Sequence, residues 1–334
     1  MRYVITGGSG YIGSRLVDLL SRREDTERIV ICDVTPPRDY KPKTQFELVD
    51  VRDRRTMHAV LERTRPDALV HLAFILNPIH DERAMYDIEV NGTHNVLESA
   101  AEAGTQQLLV VTSVAAYGAH PDNPMRLTEE HPVRGVAGFS YARDKTESDR
   151  ICQLWATQYP DRIMTIVRPC TVFGPSVDNY LLRVWTKQPF VVDLGNLDNE
   201  IQFVHEDDVV EAVTGLLLGR HEGPFNLAGD GVMTLRECAE TVGMPLRKVP
   251  LRAYRALARV MWRVGAIEAP PGSIDFLLYP WIVSNEKLKR TLEWTPRYSS
   301  RETFEITMRA HGKLPPAAPP AARVEEPQRA IVAS

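Results

Sequence analysis

Three side chains in the middle of the chain have the types and spacing that proton transfer requires. Tyr141 and Lys145 are four residues apart at the start of a predicted helix, so they share one helix face. An ammonium beside a phenol stabilises the phenolate and lowers its pKa, which lets tyrosine act as an acid or base near neutral pH. Ser113 follows a predicted strand, where its hydroxyl could hold the substrate oxygen that gains or loses the proton.

A glycine-rich stretch near the N-terminus predicts a dinucleotide site. Residues 6–13 read Thr-Gly-Gly-Ser-Gly-Tyr-Ile-Gly and connect an apolar strand to an amphipathic helix. Glycines there let the backbone turn tightly and approach a pyrophosphate, and the helix N-terminus offers unpaired N–H groups to the anion. Asp33 ends a second strand and would accept the adenosine ribose hydroxyls, which favours NAD. Arg38 keeps NADP as the alternative.

The elements that must position these residues alternate as a parallel sheet requires. Apolar segments predict seven strands, over 3–5, 28–32, 46–49, 68–73, 107–111, 163–169 and 223–227. Helices are predicted over 56–64, 85–103 and 141–158, with the last carrying Tyr141 and Lys145. The loop 74–80 is apolar and follows the fourth strand, so it lies near the nicotinamide or the substrate, or else packs beneath a second domain.

Composition restricts the class of protein. The chain has 334 residues, 43% of them hydrophobic and 25% charged, which is typical of a soluble enzyme of about two domains. A net charge of -4 gives no basic surface for nucleic acid. The four cysteines are far apart and have no histidines at ligand spacing, which indicates buried thiols and no metal site. Because neither a leader nor an apolar span is visible, we expect a cytoplasmic protein without a membrane partner.

Taken together and in this order, the motifs resemble those of the extended short-chain dehydrogenase/reductase family. That family includes NAD-dependent sugar-nucleotide epimerases and dehydratases. The likeness covers about residues 1–312. The matching residues are Thr6 to Gly13, Asp33, Asp50 to Asp53, His71-Leu72-Ala73, Asn91, Ser113 with Tyr117-Gly118, Tyr141 with Lys145, Arg168-Pro169, Phe203-Val204-His205 with Asp208, Asn226-Leu227-Ala228-Gly229, and Leu292-Glu293-Trp294-Thr295-Pro296.

The resemblance implies roles for individual residues. It makes Tyr141 the catalytic acid/base, while Lys145 lowers the pKa of Tyr141 and binds the nicotinamide ribose. Ser113 would hydrogen-bond the reacting oxygen, with Thr112 as the second choice for that role. Hydride would pass between a substrate carbon and the nicotinamide. The implied cofactor-binding residues are Gly7, Gly10, Tyr11, Ile12, Gly13, Asp33, Asp50, Val51, Leu72, Ala73, Tyr141, Lys145 and Pro169.

The fold class expected is α/β, with a doubly wound parallel Rossmann sheet of about seven strands and a smaller C-terminal substrate domain. Residues 1–170 would form the NAD-binding domain, and 201–229 would return to its sheet. Residues 171–200 and 230–312 would form the substrate domain, and the Pro/Ala-rich tail 313–334 would be disordered. The resemblance also implies a homodimer formed through helices 85–103 and 141–158.

Some positions depart from the family pattern and leave the substrate open. Thr171 replaces a usual asparagine, and Ile201-Gln202 replaces an arginine that would meet the diphosphate of a sugar nucleotide. Residues 114–116 are Val-Ala-Ala and lack the Asp-Glu pair of 4,6-dehydratases, which excludes that chemistry. The leading hypothesis is a sugar-nucleotide epimerase-like oxidoreductase. The alternatives are a dehydrogenase of an apolar alcohol or ketone, such as a hydroxysteroid, and a cofactor sensor without turnover.

A basic amphipathic helix is predicted over 251–264, in the substrate domain. Its arginines are interleaved with Leu257, Met261 and Trp262. The first interpretation is a solvated helix face. An anion clamp and a membrane-surface contact for a lipid substrate are the alternatives.

Overall fold

Strands at the positions of the apolar segments build the centre of the fold. The computed structural model describes residues 1–316. These residues form the strands β1 (Arg2–Thr6), β2 (Arg28–Asp33), β3 (Thr44–Leu48), β4 (Ala68–His71), β5 (Gln107–Val111), β6 (Ile163–Pro169), β7 (Thr171–Phe173), β8 (Val191–Asp193), β9 (Glu200–Ile201), β10 (Phe203–His205), β11 (Gly223–Leu227), β12 (Met233–Thr234) and β13 (Leu246–Lys248). Most of the tail 313–334, which was expected to be disordered, lies outside the described residues.

Helices connect the strands. They are α1 (Tyr11–Ser21), α2 (Arg54–Thr64), α3 (Glu82–Tyr86), α4 (Gly92–Glu102), α5 (Ser140–Gln158), α6 (Tyr180–Thr186), α7 (Glu206–Leu218), α8 (Leu235–Thr241), α9 (Leu251–Arg263), α10 (Asp275–Leu278), α11 (Glu286–Leu292) and α12 (Ser300–Ala310). A π-helix covers Asp87–Asn91, and 3₁₀ helices cover Val114–Tyr117 and Pro271–Ile274.

Seven strands form one parallel sheet in the order β11-β6-β5-β4-β1-β2-β3. The chain moves outward from β1 through β2 and β3, and then through β4, β5 and β6 on the other side. This doubly wound topology confirms the predicted fold. Ligands of such sheets bind where the direction of winding reverses, so the crevice lies at the carboxyl ends of β1 and β4.

Helices cover both faces of the sheet, which explains why its central strands are apolar along their whole length. On one face α1 and α7 pack through Leu16 and Val213. On the other face α2, α4 and α5 contribute Met57, Val96 and Trp155. All four cysteines are buried and free, as expected.

Most elements after β6 surround a separate aromatic core. Phe203 packs between Phe173 and Phe304, with ring centroids 4.9 and 5.3 Å away. Of the segment 201–229, β11 joins the sheet and α7 covers it, as expected. Strand β10 instead pairs with β7, because β11 already occupies the edge beside β6.

The helix predicted over 85–103 is interrupted by the π-helix. The helical run begins earlier, at Glu82, and its middle turn over Asp87–Asn91 is wider than an α-turn. A π-turn inserts one residue into the helix and so shifts which side chains face the core. As a result Glu89, an acid, is fully buried.

A buried ion pair joins α5 to the sheet. The Arg168 guanidinium donates from Nε and Nη2 to the two carboxylate oxygens of Asp149, at 2.8 and 2.7 Å. Its Nη1 donates to the Tyr117 hydroxyl at 2.6 Å, and that hydroxyl donates to Asn226 Oδ1 at 2.9 Å. Thr112 donates to the same carboxylate at 2.9 Å. Strands β6 and β11, helix α5 and the 3₁₀ helix after Ser113 are thereby held together.

Replacing Arg168 with Met should lower the free energy of unfolding by ~3–5 kcal/mol, because it leaves the Asp149 charge buried and unpaired. Urea unfolding followed by circular dichroism measures the loss. The matched control is Arg22→Met, since Arg22 pairs with Asp18 but its side chain is 75% exposed. In that control variant the free energy of unfolding should fall by less than ~1 kcal/mol. Equal losses in the two variants would contradict the assigned role of the buried pair.

Candidate active site

Ser113 and Tyr141 meet at the carboxyl end of β5. Ser113 caps the short 3₁₀ helix Val114–Tyr117, where its hydroxyl accepts a bond from the Ala115 N–H at 3.1 Å. Tyr141 lies in the first turn of α5, close enough to Ser113 that the serine hydroxyl lowers the pKa of the phenol. Thr112, the second choice for the serine role, is instead bonded to Asp149 in the buried ion pair. Of the two hydroxyls, the structure brings that of Ser113 to the tyrosine.

Burial dominates the ionisation of Tyr141. It raises the pKa of the phenol above its usual range, and the hydrogen bond from Ser113 opposes that rise. The nearby Glu89 carboxylate raises the pKa of Tyr141 further. The phenol is therefore protonated at neutral pH in this structure, and lowering its pKa needs a cation that Glu89 does not already compensate.

Lys145 lies one turn further along α5, but its ammonium group pairs with Glu89 and not with the Tyr141 hydroxyl. The side chain is 3% exposed, and Nζ lies 3.0 Å from Glu89 Oε2. The same Nζ lies 3.1 Å from the centroid of the Phe74 ring and 5.7 Å from that of Tyr141. Burial lowers the pKa of Lys145, and Glu89 opposes that change. The expected influence of Lys145 on the phenol thus competes with a buried ion pair.

Glu89 is a residue of this site that the sequence analysis did not select. Its Oε1 accepts a bond from the Ile75 N–H at 2.5 Å, and its backbone carbonyl accepts one from Ser148 of α5 at 2.8 Å. Burial raises the pKa of Glu89, whereas Lys145 lowers it. This one residue therefore connects the π-helix, the loop after β4 and the lysine of α5.

The apolar loop 74–80 covers the site. Its first residue, Phe74, packs on Lys145, and its last, His80, stacks on Trp262 of α9 with ring centroids 3.8 Å apart. Asn77 accepts a bond from the Tyr180 N–H at 2.9 Å. The loop thus contacts Lys145 of α5 on one side and elements after β6 on the other.

The glycine turn has the geometry of a dinucleotide cradle. Gly7 adopts φ +69°, and a Cβ on it would lie 2.5 Å from the Leu72 backbone. A Cβ on Gly13 would lie 2.1 Å from the Gly7 carbonyl oxygen. Gly10 precedes α1 without a side-chain cap, and the first turn of α1 contains no acid. Side chains at Gly7 and Gly13 would clash with neighbouring backbone, so glycine is what allows the strand, turn and helix to pack this closely. With the uncapped N-terminus of α1 beside the turn, this end of the crevice fits NAD.

The adenosine end also fits. Asp33 lies at the end of β2, and its carboxylate accepts bonds from the Ser9 and Thr35 N–H groups at 3.1 and 3.2 Å. The buried Ser9 hydroxyl oxygen has no hydrogen-bond partner among residues 1–316, which leaves it available to a ligand. Asp50 is paired with Arg52 at 2.6 Å, and Val51 is buried against Gly92.

Other predicted cofactor residues surround the rest of the crevice. Leu72 and Ala73 follow β4 and are half-buried, and Pro169 is buried at the end of β6. Ile12 packs against the sheet core, and the Tyr11 hydroxyl is bonded to the buried Glu206. The Phe74 ring packs on Lys145 Nζ, the group expected to bind the nicotinamide ribose, at 3.1 Å from the ring centroid.

His71, at the end of β4, is a fully buried histidine that the structure keeps neutral. Thr93 donates its hydroxyl hydrogen to the Glu89 carbonyl at 2.5 Å, so it accepts from His71 Nε2, 3.2 Å away. The other ring nitrogen, Nδ1, then accepts from the Thr6 hydroxyl at 2.6 Å. Burial lowers the pKa of His71 to about 3, and the Lys145 charge adds to that effect.

Neither a long apolar helix nor a cluster of metal ligands occurs in the described part of the chain. No helix of residues 1–316 is long and apolar enough to cross a membrane. The same residues contain no group of His, Cys, Asp or Glu side chains arranged to hold a metal ion.

Comparison with known proteins places these features in one family. A family model described as the NAD dependent epimerase/dehydratase family matches residues 3–228. UDP-glucuronic acid decarboxylase 1 of Arabidopsis thaliana is 29% identical over 329 residues, which cover 90% of this chain and 68% of the plant protein.

Solved structures share the fold. UDP-glucose 4-epimerase of Thermus thermophilus, in complex with NAD, has a TM-score of 0.71 and 23% identity, covering 93% of this chain and 99% of that chain. A dTDP-glucose 4,6-dehydratase of Streptomyces venezuelae, with NAD and TYD bound, has a TM-score of 0.71 and 23% identity, covering 93% and 97%.

His71 predicts a pH dependence of stability. Its folded pKa lies below the unfolded value of 6.5, so its contribution is complete above that value and is lost as pH falls toward 3. The expected loss is ~1.4 kcal/mol per pH unit. Urea unfolding of the natural chain and of His71→Asn, at pH values on either side of the unfolded pKa, measures the difference. If both proteins lose the same stability on acidification, His71 is not the group that titrates.

Proposed function

This chain belongs to the NAD dependent epimerase/dehydratase family, and we propose that it is an NAD-dependent oxidoreductase acting at a secondary alcohol carbon. The observation that carries the proposal is the placement of Ser113 after β5, next to the first turn of α5 that carries Tyr141, where the serine hydroxyl lowers the pKa of the phenol. Asp33 beside the glycine cradle supports NAD rather than NADP, since a carboxylate repels the additional phosphate of NADP.

In this proposal Ser113, Tyr141 and Lys145 each have a role in proton transfer. In the oxidative direction Ser113 holds the substrate hydroxyl, and the Tyr141 phenolate takes its proton as the carbon–oxygen double bond forms. NAD held in the glycine cradle would supply the acceptor for the hydride that leaves the same carbon. In the reverse direction the Tyr141 phenol returns the proton to the carbonyl oxygen. Lys145 stabilises the phenolate in this proposal, and Glu89 limits how much of its charge is available.

The proposed reaction has an epimerase mode. If the ketone stays in the crevice and is reduced on its opposite face, the alcohol carbon changes configuration and no net oxidation occurs. Retention requires that water and bulk solvent be excluded from the reacting carbon. The loop 74–80 over the buried Lys145 supports such retention.

A second candidate is oxidation of an apolar alcohol or reduction of its ketone. It is favoured by the residues that stand where the family pattern has a diphosphate-binding arginine. Gln202 is buried, and both polar atoms of its amide bond the Val283 backbone: Oε1 accepts from the N–H at 2.8 Å and Nε2 donates to the carbonyl at 3.1 Å. Ile201 is buried in the aromatic core. Neither residue supplies the positive charge with which an arginine would pair with a diphosphate.

Replacing Tyr141 with Phe should lower kcat by ~100-fold or more, because the variant has no hydroxyl for proton transfer. The Kd for NAD, measured by fluorescence titration, should change little. Tyr159→Phe, at the end of the same helix, is the matched control and should keep full activity. If turnover is unchanged in the Tyr141 variant, the proposed mechanism is rejected for any substrate.

The two candidate reactions are separated by the fate of the cofactor. Purified protein is mixed with UDP-sugars or with hydroxysteroids, and reduced nicotinamide is followed by its near-ultraviolet absorbance. A change of sugar configuration without accumulation of reduced cofactor supports the epimerase. Reduction of free NAD in proportion to added apolar alcohol supports the second candidate and rejects the first.

We also propose a homodimer formed through the helical run 82–102 and α5. Tyr86 and Leu154 are exposed apolar side chains on these two segments. Analytical ultracentrifugation at micromolar concentration should give a dimer, and Leu154→Glu should shift it toward monomer because it buries a charge in the contact. A monomeric natural chain would reject this arrangement.

A further inference from the structure

Helix α9 and its flanks form a cationic segment in a chain whose net charge is -4. Residues 246–267 contain no Asp or Glu. The same residues contain these basic side chains: Arg247, Lys248, Arg252, Arg255, Arg259 and Arg263. One of them, Arg255, is paired with Asp275 at 2.7 Å. The remaining positive charge of this segment must therefore be balanced by groups outside it, which are solvent and its ions or an anionic binding partner.

The charges of α9 lie along one side of the helix. Arg252, Arg259 and Arg263 are separated by seven and four residues, so they point in nearly the same direction. All three are exposed. No acid of α9 lies three or four residues from any of them, so the helix itself does not neutralise the strip.

An apolar strip lies beside the arginines and is also exposed. Leu257, Val260 and Val264 recur at the spacing of one helix face, and they are 54%, 58% and 71% exposed. Within α9 only Ala258 is buried. An amphipathic helix of a globular protein normally buries its apolar strip, yet nothing in residues 1–316 covers this one. A solvated face explains the arginines but not the three exposed aliphatic side chains.

We propose that α9 docks on an anionic membrane surface. A cationic strip beside an aliphatic strip on one helix is the arrangement that lies flat in the headgroup region, with the aliphatic side chains directed toward the acyl chains. The arginines then meet lipid phosphates, and this charge complementarity distinguishes a lipid surface from an apolar protein partner. The occupant we infer is a bilayer rich in anionic lipid.

The position of α9 connects this surface to the crevice. Trp262 stacks on His80, which ends the loop whose first residue covers Lys145. Trp262 is two residues from both Val260 and Val264, so it lies on the side of α9 away from the aliphatic strip, and docking would place α9 between the bilayer and the loop near the proposed active site. This part of the inference rests on the proposed function, and it points to an alcohol or ketone carried on a membrane lipid as the substrate class.

Vesicle co-sedimentation of the full chain tests the docking without turnover. The vesicles are equal parts phosphatidylcholine and phosphatidylglycerol, compared with pure phosphatidylcholine. Binding to the anionic vesicles should be at least ~10-fold stronger and should weaken with added salt. Equal binding to the two vesicle types, or none to either, would overturn the proposal.

Two variants separate the strips. Leu257→Asp/Val260→Asp removes the aliphatic contact, and Arg252→Gln/Arg259→Gln/Arg263→Gln removes the charge. Each should weaken vesicle binding by at least ~10-fold. The matched controls are Met125→Asp, at a side chain 78% exposed elsewhere, and Arg22→Gln/Arg55→Gln/Arg290→Gln. The controls should bind as the natural chain does, and a similar loss in them would reject α9 as the docking surface.

Two readouts distinguish membrane docking from unfolding and from self-association. Circular dichroism and NAD affinity should be unchanged in all variants, which excludes loss of folding. If the natural chain self-associates through α9, the aspartate variant changes the sedimentation coefficient without lipid, and that result would replace the membrane with a second copy. Vesicle binding that persists when turnover fails would leave the docking valid and reject the proposed reaction alone.

Discussion

The buried pair of Arg168 and Asp149 is the interaction on which the geometry of the site depends. Two opposite charges inside a protein stabilise it only if nearly every donor and acceptor is used, because desolvation otherwise exceeds the attraction. Here both carboxylate oxygens meet the guanidinium, and Thr112 and Tyr117 complete the network. The pair ties α5 to β6. Since Tyr117 ends the 3₁₀ helix that Ser113 begins, the same network sets where the serine and Tyr141 meet.

A second buried pair, Lys145 with Glu89, is less completely satisfied and has a different consequence. The Lys145 ammonium has a carboxylate on one side and an aromatic ring on another. In a site of low dielectric the nearest opposite charge determines where a cation acts. Glu89 therefore competes with the Tyr141 phenolate for the same ammonium. Any contact that draws Lys145 away from Glu89 makes Tyr141 easier to deprotonate, which couples the occupancy of the crevice to its acid–base chemistry.

The sequence was sufficient to predict the sheet, the position of the glycine turn between β1 and α1, and that Ser113 follows β5 while Tyr141 begins α5. These features depend on local rules: continuous apolar strands, glycines at a strand–helix turn, and two positions at the ends of neighbouring elements. Glu89 could not be found this way, because the π-turn over Asp87–Asn91 shifts the helical register and turns an apparently ordinary helix acid inward. The sequence places Phe74 in an apolar loop that lies near the ligand or packs beneath a second domain, but its contact with Lys145 depends on side-chain packing that no periodicity encodes.

The positions of hydrogen-bond donors and positive charges bear on which substrates the crevice can bind. At the expected diphosphate position the Gln202 amide is hydrogen-bonded to the Val283 backbone. The residue therefore provides no positive charge to an anion there. Exposed arginines lie instead on the outer face of α9, beside exposed aliphatic side chains. A soluble sugar nucleotide would need donors inside the crevice, whereas the membrane docking proposed above needs them on the outer face of α9. The distribution of charge in this chain matches the second requirement better than the first.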